Sequence, residues 1–113
     1  MGKKYVIKWA APARDDLDEI IEYIAQTNMA YAVKILDKIE LAVKNLDAFP
    51  KRGRIVPELE RYGYILYREI IVDYWRIIYK IENAIVYIMV VIDGRRNVED
   101  VILKKIITRE KEL

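Results

Sequence analysis

Arginines are the residues of this chain best suited to chemistry, and eight of the nine lie at or beyond position 52. Six of these eight fall into three groups: the loop Lys51-Arg52-Gly53-Arg54, the strand-like positions Arg68 and Arg76, and the pair Arg95-Arg96 directly after Gly94. A guanidinium is a planar fork that grips phosphate or carboxylate in two places. A glycine between arginines lets the backbone approach a phosphate closely, unless the loop is simply solvated. Arg68 and Arg76 sit in runs of Ile, Val and Tyr, where an arginine needs a reason. If the hairpin register keeps even positions together, both share a face with Tyr64 and Tyr74. Such a surface holds backbone phosphate and stacks bases. The alternative is a cross-strand ion pair with Glu58, Glu69 or Asp73. Glu58, following Pro57 in the basic loop, either faces the arginine cluster or offsets its charge.

Other chemistries are excluded by absence. The 113 residues contain no Cys, no His and no Ser. Thiol chemistry, cysteine-ligated zinc and every Ser/His or Cys/His nucleophilic arrangement are therefore impossible. Neither a metal nor a cofactor is expected. The net charge of +2 does not by itself demand nucleic acid. Its distribution is uneven, with seven basic and eight acidic residues in 1–50 but seven basic and four acidic in 51–80. No signal peptide follows Gly2-Lys3-Lys4, and no apolar run reaches the roughly 20 residues of a membrane span. A cytoplasmic protein without membrane contact is expected.

The elements that must position the arginines follow from periodicity. Tyr5, Ile7 and Trp9 alternate as in a strand. Pro12 suits a first helical turn, and Leu17, Ile20, Ile21 and Ile24 form one apolar stripe, predicting a helix over 12–26. Asn28 caps a second helix whose stripe is Ala32, Ile35, Leu36, Ile39, Val43 and Leu46. Phe49-Pro50 ends it. Residues 51–60 read as a loop. Segments 64–72, 74–82 and 85–92 are rich in Ile, Val, Tyr and Trp and joined by very short turns, predicting an antiparallel meander with the last strand inside the sheet. Trp9, Phe49 and Trp75 are expected in the core. The fold class is α+β, in the order β-α-α-β-β-β, with a helical hairpin on one face of an antiparallel sheet. One domain is expected over 1–97, with 98–113 a helical or flexible extension.

At this point the residues match a family pattern. Ala11-Pro12, Asp16-Leu17, Ile20 and Tyr23-Ile24 resemble the first helix of the RelE/ParE superfamily of type II toxins (the plasmid stabilisation family). Leu46, Phe49-Pro50, Gly53-Arg54 and Pro57-Glu58-Leu59 resemble its central loop. Tyr67-Arg68-Glu69 and Trp75-Arg76-Ile77-Ile78-Tyr79 resemble its sheet, and Gly94-Arg95-Arg96 its last strand end. The resemblance runs from residue 5 to about 97.

It implies a toxin neutralised by a cognate antitoxin encoded beside it. One branch of the superfamily cleaves mRNA on the ribosome, and another, ParE-like, poisons DNA gyrase without enzymatic action. In the first, Arg76 would hold phosphate, Glu58 would fall near the general base, and Arg95 would fall where relatives carry catalytic groups. Lys51, Arg52, Arg54, Arg68 and Arg96 would then bind RNA. Asp93 stands where many relatives have histidine, so the acid for the leaving oxygen is unidentified. The first reading is a ribosome-dependent mRNA endoribonuclease whose partners are the ribosome and mRNA. The alternative is a DNA gyrase poison. The antitoxin is expected to offer an acidic segment that covers the arginines or displaces the stretch from Val98 onward.

Overall fold

The computed structural model describes residues 4–95 and 98–111. Strand β1 (Val6–Trp9) leads into helices α1 (Ala11–Ala25) and α2 (Met29–Lys44), which form the expected hairpin. Pro12 lies in the first turn of α1, and the Asn28 side chain caps α2 by accepting from the Tyr31 N–H at 2.9 Å. A 3-10 turn over Asn45–Asp47 ends α2. Strand β2 (Arg54–Ile55) and the single turn α3 (Pro57–Glu60) follow. Strands β3 (Tyr67–Val72), β4 (Trp75–Glu82) and β5 (Ile85–Asp93) form the meander, and α4 (Glu99–Glu110) closes the described chain.

The sheet order is β1-β5-β4-β3-β2. The meander is antiparallel, as its short turns require, and β1 adds parallel to β5. Val86, Ile88, Val90 and Val91 of β5 are buried between its two neighbours. Ala13, Leu17, Ile35, Ile39, Val43 and Leu46 of the helices join Ile77, Tyr79 and Ile88 of the sheet in one apolar core. Trp75 is buried as expected, whereas Phe49 is exposed. It stands where the chain leaves the 3-10 turn, past the last buried position, Leu46.

The turn between β4 and β5 is Asn83-Ala84, both with positive φ, 52° and 63°. This mirror-image turn matches the twist of the flanking strands. Its second residue is an alanine in a conformation that costs an L-residue about 1–2 kcal/mol. Ala84→Gly should therefore raise stability, by roughly 0.5 kcal/mol after the extra unfolded-state freedom of glycine is deducted. Urea unfolding checks this, and a loss of stability would contradict it.

Candidate functional site

Alternation along β4 places Arg76, Ile78 and Lys80 on one face and Ile77 and Tyr79 on the other. Tyr79 faces the loop that follows α2. Its hydroxyl donates to the Pro50 carbonyl (2.6 Å) and accepts from the Gly53 N–H (3.0 Å). Burial pushes this phenol above its ordinary pKa, so it stays a hydroxyl. A Cβ on Gly53 would collide with the Glu69 carbonyl and lie 2.7 Å from the Tyr79 hydroxyl. The close approach that this glycine permits is to β3 and Tyr79.

The β3–β4 turn has two residues, Asp73 and Tyr74, and pairs Ile71 with Arg76 and Arg68 with Tyr79. An even position thus faces an odd one across the hairpin. Arg68 and Arg76 lie on opposite faces, not together as an even-to-even register would have them. Arg68 fastens the basic loop by donating to the Gly53 carbonyl at 2.8 Å. Tyr64 precedes β3 and is exposed.

Arg76 is buried, and all three of its guanidinium nitrogens are engaged. Nη1 and Nη2 donate to the two oxygens of Glu58 at 2.7 and 2.6 Å, a fork-to-fork pair. Nε donates to Glu69 at 2.6 Å. The second oxygen of Glu69 accepts from Arg54 Nε at 2.7 Å. Glu69 is sealed from solvent, Glu58 is partly open, and the Arg54 side chain is 58% exposed. The result is an alternating chain, Glu58–Arg76–Glu69–Arg54. Gly94 makes room for it, because a Cβ there would lie 2.8 Å from Arg76 Cδ. The hydrogen bond from Arg76 holds the Glu58 carboxyl below its usual range against the opposing effect of burial. The same bond holds Arg76 above its own ordinary value. A carboxylate so stabilised is a weak proton acceptor at neutral pH.

The other candidates lie apart from this chain. Lys51 and Arg52 are exposed in the basic loop. Arg95 is exposed, pairs with Asp93 at 2.8 Å and stacks on Tyr74, its guanidinium 3.7 Å from the ring centre. Arg96 lies outside the described residues.

Two charge clusters were not expected from the sequence. β1 ends opposite Ile88, leaving the outer edge of β5 bare beyond it. There the buried Asp16 of α1 accepts the Val91 N–H at 3.0 Å. It also takes both Arg109 Nη atoms at 2.6 and 2.9 Å, while Arg109 Nη1 donates to the Met89 carbonyl at 2.8 Å. On the Arg76 face, Glu110 of α4 meets Lys80 at 2.7 Å and the Tyr67 hydroxyl. Burial alone would lower the Lys80 ammonium, but Glu110 and Glu82 hold it above its ordinary value. The signals were present. Asp16 falls on the apolar stripe beside Leu17, and Lys80 interrupts an apolar strand. With Ile102 and Ile106 buried beneath it, α4 packs on the sheet face opposite the Tyr79 side. No helix among the described residues is long and apolar enough to cross a membrane.

Comparison with known proteins bears on the assignment. A family model described as "ParE toxin of type II toxin-antitoxin system, parDE" matches residues 7–98. Toxin ParE3 of Caulobacter vibrioides is 32% identical over 95 residues, spanning 83% of this chain and 91% of that protein. Among solved structures, the chromosomal ParDE toxin–antitoxin system of P. aeruginosa superposes with a TM-score of 0.66 at 18% identity, over 80% of this chain and 96% of that one. The toxin–antitoxin complex RelBE2 of Mycobacterium tuberculosis gives 0.57 at 19% identity, over 82% and 94%. At these identities the two structures speak for the fold. The match to the family model and the sequence relative speak for more: the chain belongs to the ParE toxins of type II toxin–antitoxin systems.

Proposed function

We propose that this toxin acts on DNA gyrase without enzymatic chemistry and is neutralised by an antitoxin encoded beside it. The observation that carries the reading is the state of Arg76. RNA cleavage would need that guanidinium free for a phosphate, whereas here it is buried and its nitrogens are spent on Glu58 and Glu69. No histidine exists to protonate a leaving oxygen, and Asp93, which stands in its place, pairs with Arg95. The match of the ParE toxin family model over residues 7–98 supports the same reading.

The endoribonuclease reading keeps one favourable observation. Arg54 is exposed near enough to the partly open Glu58 to help hold its carboxylate, and Lys51 and Arg52 are exposed in the same basic loop. A phosphate entering there would have to displace the Glu58 carboxylate from Arg76.

Two assays run side by side separate these readings. Purified toxin should inhibit gyrase supercoiling and leave in-vitro translation intact. Arrested translation with new mRNA ends on ribosomes, and unimpaired supercoiling, would reverse the assignment. In that case the missing histidine makes a second prediction. The single-turnover cleavage rate on saturated ribosomes should be flat or rising from about pH 5.5 to 8.5, because no side chain of ordinary pKa near 6.5 is present. A bell centred near neutrality, unchanged by Glu58→Gln, would point to a titrating group supplied by the ribosome.

A further inference from the structure

Phe49 is the one phenylalanine of the chain, and it stands 66% exposed at the first position of a tight turn. The turn is Phe49-Pro50-Lys51-Arg52, closed by the Arg52 N–H donating to the Phe49 carbonyl at 3.1 Å. Such a closure sets the Cα atoms of its two ends less than about 7 Å apart, so Phe49 and Arg52 are neighbours. The backbone is pinned from beneath. The fully buried Tyr79 donates its hydroxyl to the Pro50 carbonyl and accepts from the Gly53 N–H, and Arg68 Nη1 donates to the Gly53 carbonyl. The sheet thus spends three hydrogen bonds on holding an exposed turn in one shape. A turn fixed in advance gives up little entropy when it binds.

The charges on this turn are unmatched. Lys51 and Arg52 are exposed, and neither side chain makes an ion pair or hydrogen bond with any described residue. Arg68 has no carboxylate partner among the described residues, since its one side-chain bond goes to a carbonyl. Arg52 and Arg68 both stand close enough to the Tyr79 hydroxyl to favour its ionised form, although burial outweighs them. The carboxylates around them are committed or face elsewhere. Asp47 pairs with Lys4 at 3.9 Å, and Glu69 and Glu58 belong to the Arg76 chain. Glu60 lies on α3, which meets α4 on the opposite sheet face through Arg61 and Glu99. Glu40 shares a small pocket with Arg14 and Lys44 at β1. What remains is an exposed ring beside three cations. A nucleic-acid strand answers both features with every nucleotide, a phosphate for the cations and a flat base for the ring. Changing DNA supercoiling requires strands to be cut, so a gyrase holds DNA whose stacking is interrupted.

We infer that the 49–52 turn, backed by Arg68, docks on a DNA strand opened by gyrase, with Lys51, Arg52 and Arg68 on its phosphates and Phe49 stacked on an unstacked base. The inference rests on the gyrase reading above and adds that the toxin touches the DNA the enzyme holds. Arg76 and Glu58 stay bound to each other, so the contact binds a strand and does no chemistry on it.

The test uses the full-length chain and three short fluorescent probes of one sequence: single-stranded DNA, the blunt DNA duplex and single-stranded RNA. F49A and K51Q/R52Q are compared with wild type. K34Q/K104Q removes the same charge from two exposed, unpaired lysines on α2 and α4 and controls for net charge. All of these side chains are exposed, so thermal unfolding should stay near wild type. F49A should weaken binding of single-stranded DNA about tenfold and leave the duplex within about twofold, because only the open strand offers a base to stack. K51Q/R52Q should weaken binding of both DNAs about tenfold at low salt and flatten the single-strand slope of log K against log salt by about 1.4. K34Q/K104Q should stay within about twofold of wild type. In supercoiling assays F49A and K51Q/R52Q should need about tenfold more protein than wild type for equal inhibition. Equal DNA affinity of K51Q/R52Q and K34Q/K104Q overturns the site, as does full supercoiling inhibition by both turn variants, and the gyrase reading stands in either case. Lost inhibition with unchanged DNA affinity assigns the turn to the gyrase protein itself and overturns the proposal. RNA bound in preference to DNA, together with arrested translation and unimpaired supercoiling, overturns the gyrase reading and the proposal together.

Discussion

Arg76→Ala is expected to lower the unfolding free energy by about 3–5 kcal/mol, the cost of removing one partner from a buried ion pair. That is a large share of the roughly 5–15 kcal/mol that holds a domain folded. The cause lies in Glu69, whose side chain has no solvent exposure and would be left with Arg54 as its one cation. Glu58 would also lose both of its charge-assisted bonds, but it is partly open and can recruit water. Glu58→Gln should therefore cost far less, about 1 kcal/mol, since Arg76 keeps Glu69. The double variant R76M/E69Q should recover much of the Arg76→Ala loss, because it removes the stranded charge together with its partner. Urea unfolding of the four proteins checks this. The acid limb of stability carries a second check. The folded-state pKa of Glu58 is lowered, so its contribution is fully present above the unfolded value near 4.3 and is lost as pH falls through the folded one. Wild type should lose stability below about pH 4 more steeply than Glu58→Gln. An Arg76→Ala protein as stable as wild type, yet unable to arrest growth, would return Arg76 to the functional site and weaken the gyrase reading.

Asp16→Ala should cost about 3–4 kcal/mol and act at a distance in sequence, on α4. Asp16 takes two bonds from Arg109 and one from the Val91 N–H, all in a buried setting. Without it the Arg109 guanidinium stands beside the Met89 carbonyl with no carboxylate, and the Val91 N–H loses its acceptor. The apolar hold on α4 is modest, with Ile102 and Ile106 its two buried side chains. Hydrogen exchange should therefore accelerate over 99–110 before it does so in the meander. Asp16→Asn keeps an acceptor for Val91 and should be milder. Unchanged protection of α4 in Asp16→Ala, with stability intact, would show that the helix is held by its apolar residues alone.

The helical hairpin and the meander were legible in the sequence because each is written in local periodicity. The stripes Leu17-Ile20-Ile24 and Ala32-Ile35-Ile39-Val43 have the spacing of one helix face, and Asn28 caps at the junction. Short turns at Asp73 and Asn83-Ala84 left no room for anything but antiparallel pairing. The burial of Trp75 and the family resemblance followed from the same short-range patterns, whereas the segment 51–60, expected as a loop, carries β2 and α3.

Tertiary structure alone decided what the arginines do. Their faces depend on register, and register on whether a turn has an even or odd number of residues. A two-residue turn sends Arg68 to the Tyr79 side and Arg76 to the other, and a slip of one would reverse this. Whether Arg76 meets phosphate or carboxylate then depends on Glu58, 18 positions away, and on which way α3 turns. The pairing of Asp16 with Arg109 spans 93 positions and required β1 to stop at Trp9, baring the edge of β5. The C-terminal segment, expected only as a helical or flexible extension, hid its role for the same reason. Several of its charges, those of Lys105, Arg109 and Glu110, belong to partners on α1 and β4, and such partners leave no periodic trace. Periodicity records which face a residue takes within its own element, while ion pairing records which elements meet, and that is set by the packing of the whole chain.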